Sequence, residues 1–155
     1  MTDETKTDIP EALREWRDQG RFVDVEGNSI FVHASGKAKQ DGDGVLIVHG
    51  FPGSSKDWSG VVSRVAERTR VVVPDMLGYG QSDKPVDGNY SIFKSADMFE
   101  AIAKEEGLRN VVLVIHDLGQ TVGAELMMRQ EEGNLCCNNS IAKNSLRYDS
   151  KRVLR

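Results

Sequence analysis

Val111-Val112-Leu113-Val114-Ile115-His116-Asp117-Leu118-Gly119 is a run of five aliphatic residues that breaks into a polar pair and then, two positions after Asp117, a glycine. An uninterrupted apolar run of this length, bounded by polar residues, predicts a strand buried on both faces of a parallel sheet. Beyond Gly119, Val122, Leu126 and Met127 recur at helical spacing, and Gly133 is a stop signal. The segment therefore reads as strand, sharp turn, helix. In that context the central turn residue is exposed at the C-terminal edge of the sheet, beside the positive end of a helix dipole. Asp117 takes that place. Aspartate tolerates the positive φ such a turn demands, and the location stabilises a carboxylate and any developing oxyanion. Two readings stay open on this segment alone: a nucleophile, or an ordinary helix N-cap.

Working upstream, Val45-Leu46-Ile47-Val48 and Arg70-Val71-Val72-Val73-Pro74 are two further buried-strand candidates. Between them, Ser55 to Arg68 has a helical stripe of Trp58, Val61, Val62, Val65 and Ala66. A turn-rich loop follows from Asp75 to Asn89. Ser91 can cap a helix whose stripe is Ile92, Ala96, Phe99 and Ala103, with Gly107 as its stop. Strand and helix thus alternate, which predicts an α/β, doubly wound, mostly parallel sheet. Nearer the N-terminus, Asp8 and Glu11 form a capping-box pattern and Pro10 suits a first turn. Leu13 and Trp16 share a face, and Gly20 ends this helix. Alternation over Arg21–Val25 and Ser29–His33, joined at Glu26-Gly27-Asn28, predicts a hairpin.

His49-Gly50-Phe51-Pro52-Gly53 directly follows the first buried strand. Its glycines permit close backbone approach, and the backbone N–H groups of Phe51 and Leu118 could together form an oxyanion hole. An ordinary strand-to-helix turn is the alternative. Gly78 and Gly80 lack the third glycine of a dinucleotide loop, and no helix starts there, so a structural loop is expected.

Composition narrows the function classes. With 39% hydrophobic and 28% charged residues the chain has the balance of a globular domain. A net charge of −4 argues against nucleic acid or an anionic membrane surface as partner. The start, Met1-Thr2-Asp3-Glu4-Thr5, has no signal-peptide pattern, and no apolar run is long enough to span a bilayer, so the cytoplasm is the default expectation. Cys136 and Cys137 are adjacent, poorly placed to bridge each other and without metal-ligand spacing. No cofactor and no metal are expected.

Three expectations concern domain organisation: an N-terminal helical extension over 1–19, half of a catalytic domain over 20–135, and an unstructured basic tail over 136–155. The tail carries five Lys/Arg against Asp149 alone, whereas residues 1–135 hold 15 Lys/Arg against 23 acids. So abrupt a change is expected of a frameshift, a misjoined exon or a truncated reading frame.

The ordered segments His49-Gly50-Phe51-Pro52-Gly53-Ser54-Ser55, Asp75-Met76-Leu77-Gly78-Tyr79-Gly80-Gln81-Ser82-Asp83-Lys84-Pro85, Tyr90-Ser91-Ile92-Phe93 and Val114–Gly119 resemble the α/β-hydrolase superfamily. More narrowly they resemble its aspartate-nucleophile branch: haloalkane dehalogenases, epoxide hydrolases and, closest, mesoderm-specific-transcript hydrolase-like proteins. The resemblance covers roughly residues 20–135. It implies Asp117 as nucleophile on a small organic substrate through a covalent ester, with Phe51 and Leu118 as oxyanion donors. It makes His49, Gly50 and Gly119 loop-forming residues.

Three departures qualify that expectation, and one is that epoxide hydrolases tend to carry Trp at the Leu118 position and to place their ring-opening tyrosines in a cap domain not expected here. Phe51 and Leu118 stand where dehalogenases place side-chain N–H donors for halide, so dehalogenation is not expected. The family's acid and base follow the nucleophile in the chain, and only 38 residues follow Asp117. His33 is expected away from the site, His49 to be structural and His116 to point away. The expected outcome is arrest at the ester, which needs an activated water for release. The alternatives are a non-catalytic protein of the same fold that binds a ligand or partner, and a subunit completed by a second chain. Finally, 111–115 is expected to be an unprotected edge strand prone to self-association, with Leu113→Lys improving solubility.

Overall fold

The computed structural model describes residues 9–131. In chain order the elements are α1 (Glu11–Asp18), β1 (Arg21–Val25), β2 (Asn28–Ser35), β3 (Asp43–Val48), a 3-10 turn (Ser55–Trp58), α2 (Ser59–Ala66), β4 (Arg70–Pro74), α3 (Ile92–Glu105), β5 (Asn110–Ile115) and α4 (Leu118–Glu131). They build one five-stranded sheet in the order β1-β2-β4-β3-β5. β3 pairs in parallel with both β4 and β5, and the β1–β2 hairpin is added antiparallel through β2. The fold is therefore α/β with a parallel centre and helices on both faces.

Strand alternation sorts the core into two layers. Val45, Ile47, Val71, Val73 and Phe31 face α1 and α2, where Trp16 and Val62 complete one cluster. Leu46, Val48, Val72, Ile30 and Val32 face α3 and α4, against Phe99, Ile102, Val122 and Leu126. The predicted cap of α3 is present, with Ser91 Oγ accepting from the Lys94 N–H at 3.2 Å. Arg129 clamps α4 to α3 through Asp97 at 2.7 Å. On the other face, Trp16 Nε1 donates to Ser55 Oγ at 3.1 Å inside the protein and pins α1 to the 3-10 turn.

Several sequence expectations need correction. α1 begins at Glu11 with Pro10 as N-cap and no side-chain capping bond, while Asp8 and the 136–155 tail lie outside the described residues. The helix expected over Ser55–Arg68 splits into a 3-10 turn and a shorter α2. The tighter 3-10 winding changes the helical phase, and Val61, assigned to the buried stripe, is 45% exposed. β5 is fully buried on one face and only partly on the other: Val111, Leu113 and Ile115 are buried, Val114 is half-buried against the α2 cluster, and Val112 is 40% exposed. The reason is that α2 covers β3 and β4 but does not reach Val112, which is absent from the cluster beneath α2. Leu113 is only 3% exposed, so a lysine there would bury a charge, and the proposed solubilising change is misplaced by one residue.

Candidate active site

The parallel register of β3 and β5 sets Val48 beside Ile115, so the loops leaving both strands emerge side by side. The β5 loop turns at once. Asp117 has φ +52°, and Gly119 N–H donates to His116 O at 2.9 Å. The β3 loop runs through His49 and Gly50 to Phe51. A Cβ at Gly50 would lie 2.6 Å from the Cβ of Asp117, so only glycine lets the two loops meet. The consequence is a convergent pair of donors. Phe51 N–H donates to Asp117 Oδ1 at 2.9 Å, and Leu118 N–H donates to the same oxygen at 2.6 Å.

This is not a helix-capping bond. A capping side chain accepts from the second or third residue of the helix, whereas Asp117 accepts from the first residue, Leu118, and from another loop. The bonds from Phe51 and then Leu118 hold the carboxyl below the usual aspartate range. Its side chain is exposed, and Oδ2 accepts no hydrogen bond from the described residues.

The three histidines occupy distinct settings. His49 is fully buried; its Nε2 accepts from Met76 N–H at 2.9 Å, which leaves Nδ1–H to donate to Gly50 O at 3.0 Å. Burial lowers its pKa despite the Gly50 bond and the charges of Asp75 and Asp57, so the ring is a neutral strut. His116 is exposed and lies edge-on to Trp58. His33 sits on β2, stacked against Trp16. None forms a hydrogen bond with Asp117.

One supporting residue escaped the sequence reading. Asp75 is 2% exposed and accepts from Ser55 N–H at 2.6 Å and Gln81 N–H at 2.7 Å. Together with Ser82, whose Oγ donates to Asp75 O at 2.8 Å, it locks the 75–89 loop beneath the β3 loop. Its signal was a lone acid directly after a buried strand. Two clefts flank the elbow. One of about 330 Å³ is lined by Met76, Leu77, Tyr79, Ile92, Leu118 and Val122, and one of about 440 Å³ by Pro52, Trp58, Val61 and His116; Phe51 borders both. Among the described residues no group of three or more His, Cys, Asp or Glu could hold a metal, and no helix is long and apolar enough to cross a membrane.

The seam between β3 and α4 gives a first test. A Cβ at Gly119 would lie 2.4 Å from Val48 O and 2.6 Å from His49 O, both backbone atoms. Gly119→Ala must therefore push α4 away from β3. Overpacking of about 3 kcal/mol is offset by about 1 kcal/mol of helix propensity. Urea unfolding is expected to show a net loss of about 2 kcal/mol. Gly60→Ala, in open space on α2, should be neutral or stabilising.

Asp117 thus stands beyond the C-terminal ends of two parallel strands and faces two backbone N–H donors. The chain belongs to the α/β-hydrolase fold family, whose model matches residues 44–133. It is similar to the mesoderm-specific transcript homolog protein of Homo sapiens, at 38% identity over 78% of this chain and 37% of that protein. It is also similar to a haloalkane dehalogenase of Mesorhizobium japonicum, at 35% identity over 62% of this chain and 31% of that enzyme. Among solved structures, an epoxide hydrolase of Vigna radiata superposes with a TM-score of 0.65 at 32% identity, covering 72% of this chain and 36% of that one. The chain thus spans about a third of the length of these relatives.

Proposed function

We propose that Asp117 is the nucleophile of a hydrolase acting on a small organic electrophile through a covalent ester. The observation that carries this reading is the convergence of the Phe51 and Leu118 N–H groups on Oδ1 alone. Oδ2 is left to attack. On an epoxide, Oδ2 forms a bond to a ring carbon, the ring C–O bond breaks, and the alkoxide takes a proton from water. In the second step water adds to the ester carbon. Negative charge then develops on Oδ1, where the two N–H groups already point. That step needs a general base, and none of the three histidines forms a hydrogen bond with Asp117. With no base held against Asp117, the reaction is expected to stop at the ester. Incubation with styrene oxide followed by peptide mass spectrometry tests this, with one adduct per chain, on Asp117, as the expected result. Multiple turnover by the purified chain would overturn the arrest. Absence of any adduct would favour a non-catalytic hydrolase-fold protein.

We also propose that this chain, studied alone, pairs with a second copy along β5. Among the described residues β5 is a sheet edge, and Val111–Ile115 contains no lysine, arginine or proline to guard it. Val112 is the exposed position. Val112→Lys is expected to reduce association at tens of micromolar (an order-of-magnitude choice) while leaving the fold intact. Analytical ultracentrifugation measures this, and an unmodified chain that is already monomeric at that concentration would end the proposal.

A further inference from the structure

A groove of about 500 Å³ runs between α1, β2 and α2, on the sheet face away from α3 and α4. That size falls within the roughly 300–1,000 Å³ of small-molecule sites. Its floor includes His33 and Ser35, two residues apart on β2 and therefore side by side on one face. His33 is 4% exposed, yet its Nδ1 has no hydrogen-bond partner, and neither has the buried Oγ of Ser35. Among the described residues these are the two buried side-chain polar atoms left unpaired. Buried polar atoms are ordinarily satisfied, so two orphans in one groove point to something that binds there. The His33 ring lies flat on Trp16, with centroids 3.8 Å apart and planes 8° apart, so the stack fixes the ring plane in which Nδ1 lies.

The remaining lining indicates what would fit. Val62 and Ala66 supply apolar wall on α2. Glu15 and Lys56 contribute one charge of each sign, leaving the groove without net charge. Burial, and then the Lys56 charge, keep His33 neutral. A neutral imidazole nitrogen is either donor or acceptor, and a serine hydroxyl is both. A carboxamide, carrying an N–H donor and a C=O acceptor, satisfies the pair whichever tautomer His33 holds.

We propose that this groove binds a small uncharged molecule with a carboxamide head, held by His33 Nδ1 and Ser35 Oγ, and an apolar body against Val62 and Ala66. The site is independent of the role proposed for Asp117. β2 runs antiparallel to β4, with Ser35 opposite Val71, so it descends toward the N-terminal ends of the parallel strands, whereas Asp117 stands beyond their C-terminal ends.

Benzamide titrated into the whole ¹⁵N-labelled chain is the test, with benzoate as the charged isostere. Saturable shifts at groove residues are expected, with a Kd on the order of 1 mM. Benzoate should bind at least about tenfold more weakly. His33→Phe keeps a ring on Trp16 and removes Nδ1, and Ser35→Ala removes Oγ; each should weaken benzamide by about tenfold, and their amide spectra report whether the fold survives. Asp117→Asn should leave benzamide binding unchanged. No saturation in the unmodified chain, equal binding of benzoate, equal affinity in both folded variants, or loss of binding in Asp117→Asn would each overturn the proposal, as would a long-lived water at His33 that benzamide does not displace.

Discussion

Asp117→Asn is expected to abolish covalent labelling by epoxide, a loss on the order of a thousandfold or more. An amide has no charge to drive displacement at carbon. The substitution should change stability little, because the side chain is exposed. Asparagine also accepts the φ of +52° at this turn, and its carbonyl can replace Oδ1 as acceptor for Phe51 and Leu118. Lost labelling with an unchanged unfolding curve would therefore isolate the carboxylate as the reacting group. The unmodified protein supplies the pH signature. Bonds from Phe51 and Leu118 lower the carboxyl pKa, so the anion persists below the ordinary aspartate value of about 3.9. The labelling rate should stay flat through the histidine range and fall only as the pH approaches or passes below the ordinary aspartate value. A rate that instead declines between about pH 7 and 5, the histidine range, would implicate another group and sink the assignment.

Trp16→Ala is expected to cost about 3–5 kcal/mol, measured by denaturant unfolding, a large share of a typical folding stability of about 5–15 kcal/mol. The indole is 5% exposed and joins the cluster of Phe31, Val45, Ile47, Val62, Val71 and Val73. Its loss leaves a void under α1, strips the stacking partner from His33 and removes the hydrogen bond to a fully buried Ser55 Oγ. Trp16→Phe should recover most of the packing but not that bond, and so fall between the two. A change below about 1 kcal/mol in Trp16→Ala, the size of an ordinary surface effect, would show that α1 is not part of the cooperative core.

The elements most legible in the sequence were those whose signal is local. The apolar runs at 45–48, 70–74 and 111–115 mark the three parallel strands. Ser91 and Gly107 delimit α3 closely, because caps are read from single residues. The strand–turn–helix at 111–119 was also legible, but whether Asp117 capped the helix or met Phe51 stayed open, because that meeting depends on the close approach of Gly50. What escaped depended on contacts far apart in the chain. Whether Val112 is covered is decided by the reach of α2, not by the β5 sequence. The strut role of His49 depends on Met76, and that of Asp75 on Ser55 and Gln81. The groove beneath α1 exists because Trp16 meets Ser55 across 39 residues, a pairing that no periodicity encodes.

The bond between Phe51 and Asp117 joins residues 66 apart. β5 can dock on β3 only by closing a chain loop of that size, and the loop-closure entropy must be met before the contacts in the new strand pair return any stability. The hairpin β1–β2, by contrast, closes over a turn of two residues, Glu26-Gly27. The most local strand pair is thus remote from Asp117, and the proposed site belongs to the most non-local strand pair among the described residues. The Asp117 carboxylate and the Phe51 N–H meet only when β5 is paired with β3, so the reactivity proposed for Asp117 requires that strand pair, and a form of the sheet without it cannot possess it.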